Sequence, residues 1–188
     1  MLGFKVEQFE GLTVADFDAF EERKWSSNRF NLERMKVRAK LDALGRALGA
    51  GLGDAVGDLS FHTTLDHPHI FNHKAVKHAW VYLDRPESEK AELTRIIDKD
   101  LSTKMKVQGM IPAQQSAVVG VGVDFDCACI FYRLHSNALL DRRNFSARLA
   151  DPVERQQFVG LLSRLDPRFV AGFEGEEAPL PSKVDEVE

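Results

Sequence analysis

The chain has 188 residues, 44% of them hydrophobic and 29% charged, with a formal net charge of -4. A chain of this size and composition buries roughly 70% of its unfolded surface and forms a core without a disulfide or metal staple. These values exclude a wholly disordered chain, and the acidic balance lacks the overall basic signature of nucleic-acid binding.

The opening segment MLGFKVEQFEGL has no basic stretch leading into a long apolar run, so no secretory signal is expected there. A first helix is predicted to start after Thr13, which is followed by Asp16 as in a capping box, with Asp in place of the usual Glu. Val14, Phe17 and Phe20 recur at helical spacing beyond it, and Phe9 and Leu12 precede it as a staple.

A longer helix is predicted from about Phe30 to Leu48. Val37, Leu41, Leu44 and Leu48 form its apolar stripe, and the glycines at 49, 51 and 53 end it. Leu32, Met35 and Ala39 fall on another face. The stretch from Arg23 to Arg46 carries Arg23, Lys24, Arg29, Arg34, Lys36, Arg38, Lys40 and Arg46 against only Glu33 and Asp42. Such a run is one way to neutralise phosphates. At 100° per residue, however, the charges at 34, 36, 38 and 40 spread round the helix instead of lining one side. A solvated helix surface is the expected reading, and nucleic acid is not an expected partner.

Residues 54–77 resist assignment. They contain Phe61-His62-Thr63-Thr64-Leu65 and then Asp66-His67-Pro68-His69-Ile70-Phe71-Asn72-His73, where Pro68 disfavours helix at His67. A loop leading into a short helix or strand is expected. His78 to Leu83 reads as a strand. Pro86, Glu87 and Glu89 suit the first turn of a following helix, with Leu93, Ile96, Ile97 and Leu101 as its apolar stripe.

Lys104 to Ile111 is a candidate strand. Ser116 to Asp124 and Cys127 to His135 read as an antiparallel pair turning at Asp124-Phe125-Asp126. In the first of these, Ala117, Val119, Val121 and Val123 share one face; Gly120 and Gly122 lie on the other, where a neighbour approaches the backbone closely. The apolar stretch 117–134 is interrupted by Gly120, Gly122, Asp124, Asp126 and Arg133, so it is not a membrane span. Cys127 and Cys129 are the two cysteines of the chain. Placed two apart on a strand they point to one face about 7 Å apart, too far to bond, so unbridged thiols in a reducing, cytoplasmic setting are expected.

Two helices close the sequence, one over Asn137–Leu149 and one opened by Asp151-Pro152-Val153-Glu154, with Phe158, Leu161, Leu162 and Leu165 as its core face. The segment 174–188 holds six acids against Lys183, together with Pro179 and Pro181, and reads as a disordered, solvating tail. The expected organisation is a single α+β domain over 1–173 and this tail. The fold is a mostly antiparallel sheet of about four strands flanked by about five helices.

Phosphate-loop, dinucleotide-binding and nucleophile-elbow motifs are absent. The histidines stand out instead, with His67, His69, His73 and His78 close together and His62 just before them. An extended-to-helical junction would aim His67, His69 and His73 at one point, where a divalent metal would be held; otherwise they are polar loop residues. His78, Trp80 and Tyr82 alternate on one strand face, and Arg133 and His135 share a face on another. Facing a cleft, these side chains would suit a planar or anionic ligand; otherwise they are half-buried packing residues.

His69-Ile70-Phe71-Asn72-His73-Lys74 followed by Trp80-Val81 resembles part of the YktB-like family of uncharacterised bacterial proteins, as does the helix ending in a Leu-Gly-rich segment at Leu41 to Leu52. The likeness runs over residues 9–135. Only Lys74 and Lys77 stand where that family has its basic residues, and the spacing to the Trp differs. The resemblance implies a compact α+β fold, assigns no activity, and marks His69, His73 and Trp80. The expected function is a binding module for a small anionic ligand or a peptide, in a cleft lined by His69, His73, Trp80, Tyr82, Arg133 and His135. A His-based or metal-dependent enzyme, and a partner-binding protein using the basic helix and acidic tail, are the alternatives.

Overall fold

The computed structural model describes residues 7–64, 75–99, 115–136, 138–171 and 178–179. They fall into two compact units, Met1–Leu139 and Leu140–Glu188. The architecture is α+β, with five helices and a four-stranded antiparallel sheet among the described residues.

The first unit opens with α1 (Val14–Asp18), which is one turn long. Asp16 caps it by accepting hydrogen bonds from the Thr13 backbone N–H at 2.7 Å and the Thr13 hydroxyl at 2.9 Å. Its helical stripe is incomplete: Phe17 and Phe20 join the core while Val14 faces solvent. Two short 3-10 turns (Glu22–Lys24 and Asn28–Phe30) lead into α2 (Asn31–Leu52). Gly49 and Gly51 remain helical, because a helix packed along a sheet tolerates the modest cost of a glycine. The chain leaves the helix only at Gly53, whose φ of 48° requires a residue without a Cβ.

The sheet is a meander in the order β1 (Ser60–Thr63), β2 (Ala79–Asp84), β3 (Ala117–Val123), β4 (Ala128–Leu134), with every pairing antiparallel. β1 arises from a stretch the sequence left unassigned. The register puts Phe61, Thr63, Ala79, Val81, Val121 and Val123 on one face, because cross-strand partners share a face. α2 lies on this face. Val37 and Leu41 meet Val81, Ala79 and Val123 there, together with Ala19, Phe20 and Val76 from the flanking loops.

The closest approach is at Gly45. A Cβ there would sit 2.8 Å from Val81 Cγ2 and 3.0 Å from Phe61 Cβ, so helix and sheet touch backbone to side chain. Farther along the same face the cover ends: Val119, Ile130 and Tyr132 are 43%, 63% and 57% exposed.

Polar residues of α2 also tie the unit together: Lys36 and Arg46 are exposed as a solvated helix surface requires, but Arg34, Arg38 and Lys40 depart from that expectation. Arg34 is only 4% exposed. Its guanidinium donates to the carbonyls of Ala19, Ser27 and Lys24 and to Asn31 Oδ1, holding the loop before α2 against the helix. Lys40 pairs with Asp16 at 2.5 Å, and Lys24 with Glu33 at 2.9 Å. Burial alone would raise the Asp16 carboxyl; the bonds from Lys40 and Thr13 outweigh it and hold the group below its ordinary value. Arg38 donates to Thr63 Oγ1, whose hydroxyl donates to Asp42, fixing α2 to β1. Lys24, Arg34, Arg38 and Lys40 thus anchor loops and sheet to one helix, while Arg23, Arg29, Lys36 and Arg46 of the same run are exposed.

α3 (Glu87–Lys99) follows β2. Leu93 and Ile97 are half-buried and Ile96 is exposed, so its apolar stripe is narrower than expected. Leu101, the candidate strand at 104–111 and Asn137 lie outside the described residues. Among those residues no helix is long and apolar enough to cross a membrane.

The second unit contains α4 (Leu139–Ala150), α5 (Pro152–Leu162) and a short pair, β5 (Val170–Ala171) with β6 (Ala178–Pro179). Asp151 caps α5 by accepting from the backbone N–H groups of Val153 and Glu154 at 2.8 and 3.1 Å, as its sequence signal indicates. Phe145 and Phe158 meet edge to face at 5.3 Å, and Arg148 pairs with Glu154. The buried residue of α5 is Val159, whereas Leu161 and Leu165 are exposed, which corrects the expected core face. Of the expected acidic tail, only Ala178 and Pro179 are among the described residues.

The contact at Gly45 makes a contrast between two glycines four residues apart. Gly45→Ala is expected to destabilise the protein by about 1–3 kcal/mol through overpacking. Gly49→Ala meets nothing nearer than Phe61 at 3.6 Å, and is expected to be neutral or stabilising by up to about 1 kcal/mol. Urea denaturation of both variants measures the difference.

Candidate functional site

On the face of the sheet opposite α2, the register lines up two rows across the strands. One runs Trp80–Gly122–Cys129, the other His62–Tyr82–Gly120–Phe131. The glycines sit between large neighbours in both rows. A Cβ at Gly120 would lie 2.4 Å from the Val81 carbonyl oxygen and 3.0 Å from Phe131 Cζ; at Gly122 it would lie 3.1 Å from Trp80 Cδ1 and 3.5 Å from Cys129 Sγ. The close neighbour anticipated at these glycines is therefore the aromatic layer itself. Rings from β2 and β4 lean over β3 because β3 presents no side chains there.

The result is a strip of stacked groups. The His78 and Trp80 rings are 4.6 Å apart and nearly parallel, with 4° between their planes. Phe131 meets Trp80 at 5.1 Å and 56°. The Arg133 guanidinium carbon lies 5.0 Å from the centre of the Trp80 ring, a cation–π distance. Tyr82 is buried, in one cluster with Val118, and its ring lies 6.1 Å from His62. Trp80, Phe131, Arg133 and His78 are half-buried, so the strip belongs to the surface.

His135 follows β4 and is also half-buried. Desolvation, and after it the Arg133 charge, lower the pKa of its imidazole. It therefore stays neutral at neutral pH, and Arg133 supplies the positive charge of this face.

Of the residues expected to bind a ligand, the structure brings Trp80 and Arg133 together, places His135 in the field of Arg133, and buries Tyr82 alongside. His69 and His73, and the metal set His67, His69 and His73, lie outside the described residues. Among the described residues no group of three or more His, Cys, Asp or Glu side chains is placed to hold a metal ion. Phe131 was missed as a site residue; its signal is its place directly across from Gly120.

Cys127 and Cys129 are exposed and unbridged. Partial burial, and after it the Asp124 carboxylate, raise the pKa of both thiols. Cys127 precedes β4. It closes the hairpin turn, donating its N–H to Asp124 Oδ1 at 2.8 Å and accepting the Asp124 N–H at 3.1 Å.

A separate concavity of about 340 Å³ opens between α2 and the β1–β2 edge, with Asp42, Arg46, Phe61 and Val81 in its wall. None of the expected site residues lines it. No family model, curated protein or solved structure matches the chain.

Gly122→Ala pushes directly on the Trp80 indole. The variant is expected to stay folded but shift the Trp80 fluorescence maximum and its indole N–H resonance. Unchanged signals would show that the ring does not lie over Gly122.

Proposed function

We propose that the protein is a small-ligand binding module whose His78–Trp80–Arg133 strip receives a planar anionic ligand of the aromatic-carboxylate kind. The observation that carries this reading is the Arg133 guanidinium held 5.0 Å from the Trp80 ring centre on a half-buried sheet face. Such a pairing offers an aromatic surface for stacking beside a cation whose planar N–H fork matches a carboxylate. The neutral state of His135 leaves the recognition charge on Arg133. His69 and His73 belong to the proposal through their nearness in sequence to Trp80, as does kinship with the YktB-like family, which brings no activity with it. A cytoplasmic setting is also proposed, on the strength of two unbridged cysteines.

The test uses 2-naphthoate, with 2-naphthalenemethanol as its neutral counterpart, and follows the Trp80 indole N–H by NMR. Naphthoate is expected to bind saturably and the alcohol at least tenfold more weakly, as loss of a charge-assisted hydrogen bond of about 1.5 kcal/mol requires. Arg133→Gln is expected to bring naphthoate down to the level of the alcohol. Equal binding of both probes, or an unchanged affinity in Arg133→Gln, overturns the reading.

A further inference from the structure

We propose that the concavity between α2 and β1 is a second binding site, for a free α-amino acid with an apolar side chain. It is lined by residues that take no part in the Trp80 strip, and the proposal is independent of what that strip binds.

The cavity exists because α2 presents glycine where it passes β1. Gly45 and Gly49, one turn apart, both face Phe61, and a Cβ at Gly49 would lie 3.6 Å from Phe61 Cδ2. With no side chain from either position, about 340 Å³ stays open beside the ring. That is the low end of the roughly 300–1,000 Å³ range of ligand pockets, so the occupant is small. Leu59 and Phe61 form the apolar part of the wall, and Leu59 is 38% exposed. An apolar side chain seated there removes both from water.

Two opposite charges share the same wall. Asp42 and Arg46 stand one helical turn apart, so their side chains are neighbours. The Asp42 carboxylate is only half engaged. Its Oδ1 accepts from the Thr63 hydroxyl at 2.8 Å, while among the described residues Oδ2 has no hydrogen-bond or ion-pair partner. Arg38 donates to the same Thr63 oxygen, which fixes where the carboxylate stands. A simple cation is attracted by Asp42 and repelled by Arg46, and a simple anion the reverse. A ligand with both charges on neighbouring groups satisfies both. The ammonium of an α-amino acid donates to Asp42 Oδ2, its carboxylate accepts from the Arg46 guanidinium, and its side chain lies against Phe61 and Leu59.

The experiment titrates the isotope-labelled full-length protein with three probes and follows the backbone N–H resonances of Gly45 and Gly49 by NMR. The probes are L-leucine, L-leucine amide (which lacks the carboxylate) and N-acetyl-L-leucine (which lacks the ammonium). Leucine is expected to shift both resonances saturably, and each analogue to bind at least tenfold more weakly. Asp42→Asn keeps an acceptor for the Thr63 hydroxyl and should bring leucine down to the level of N-acetyl-leucine. Arg46→Gln should bring it down to the level of leucine amide. Gly49→Leu fills the cavity from a position where helix propensity rises, so it should melt no lower than the parent and lose leucine binding. Equal binding of the three probes, or no shift up to about 10 mM leucine, overturns the proposal. So do leucine-induced shifts at the Trp80 indole N–H in place of Gly45 and Gly49, or undiminished leucine affinity in any of the three variants.

Discussion

No side chain larger than hydrogen fits at position 120, where a Cβ would stand 2.4 Å from a carbonyl oxygen of the neighbouring strand. That constraint shapes the rest of the sheet. With Gly120 and Gly122 bare, the centre of β3 has no cover of its own on this face, and rings from β2 and β4 fill the gap. Phe131 and Trp80 meet across β3, which they can do only because β3 presents nothing between them. The opposite face of the same strand carries Val119, Val121 and Val123, so β3 is apolar and branched on one side, while on the other Val118 is followed only by the bare Gly120 and Gly122. One side packs against α2 where the helix reaches; the other is a stacking surface. The cation at its edge, Arg133, is held by the ring it faces.

Close approach at glycine recurs where α2 crosses the sheet at Gly45. There it draws the helix down onto Val81 and Phe61, and the polar contacts of α2 become short enough to matter. Arg34 is the clearest instance. A buried guanidinium is costly unless its donors are satisfied, and here they reach three backbone carbonyls and an Asn side chain. The loop between α1 and α2 is thus organised by a charge from the helix that follows it. Such a group is required for the local fold, which removes it from the set available for binding phosphates.

Much of this was legible in the sequence. The alternation of valine and glycine in β3 and the Asp-Phe-Asp turn defined the central hairpin. The Asp151-Pro152 start of α5 is a local signal that local structure obeys. β1 was not legible, because Ser60–Thr63 is four residues long and gains its stability from a partner strand beginning sixteen residues later, which short-range pattern does not reveal. The end of α2 was misplaced because Gly49 and Gly51 read as stops, while the sheet beneath keeps Gly49 helical. Within the site, Trp80 and Arg133 could each be placed on a strand face. Only the register, with Gly122 and Gly120 between them, shows that their side chains meet.

The claim on which the account rests is that Trp80 forms an accessible surface under the charge of Arg133. Collisional quenching of Trp80 fluorescence in a Trp25→Phe background tests it directly, with iodide and caesium compared at equal ionic strength. The account predicts that iodide quenches strongly and caesium barely, and that Arg133→Gln narrows the gap. A Trp80 signal insensitive to both ions, or quenched equally by both, would contradict it.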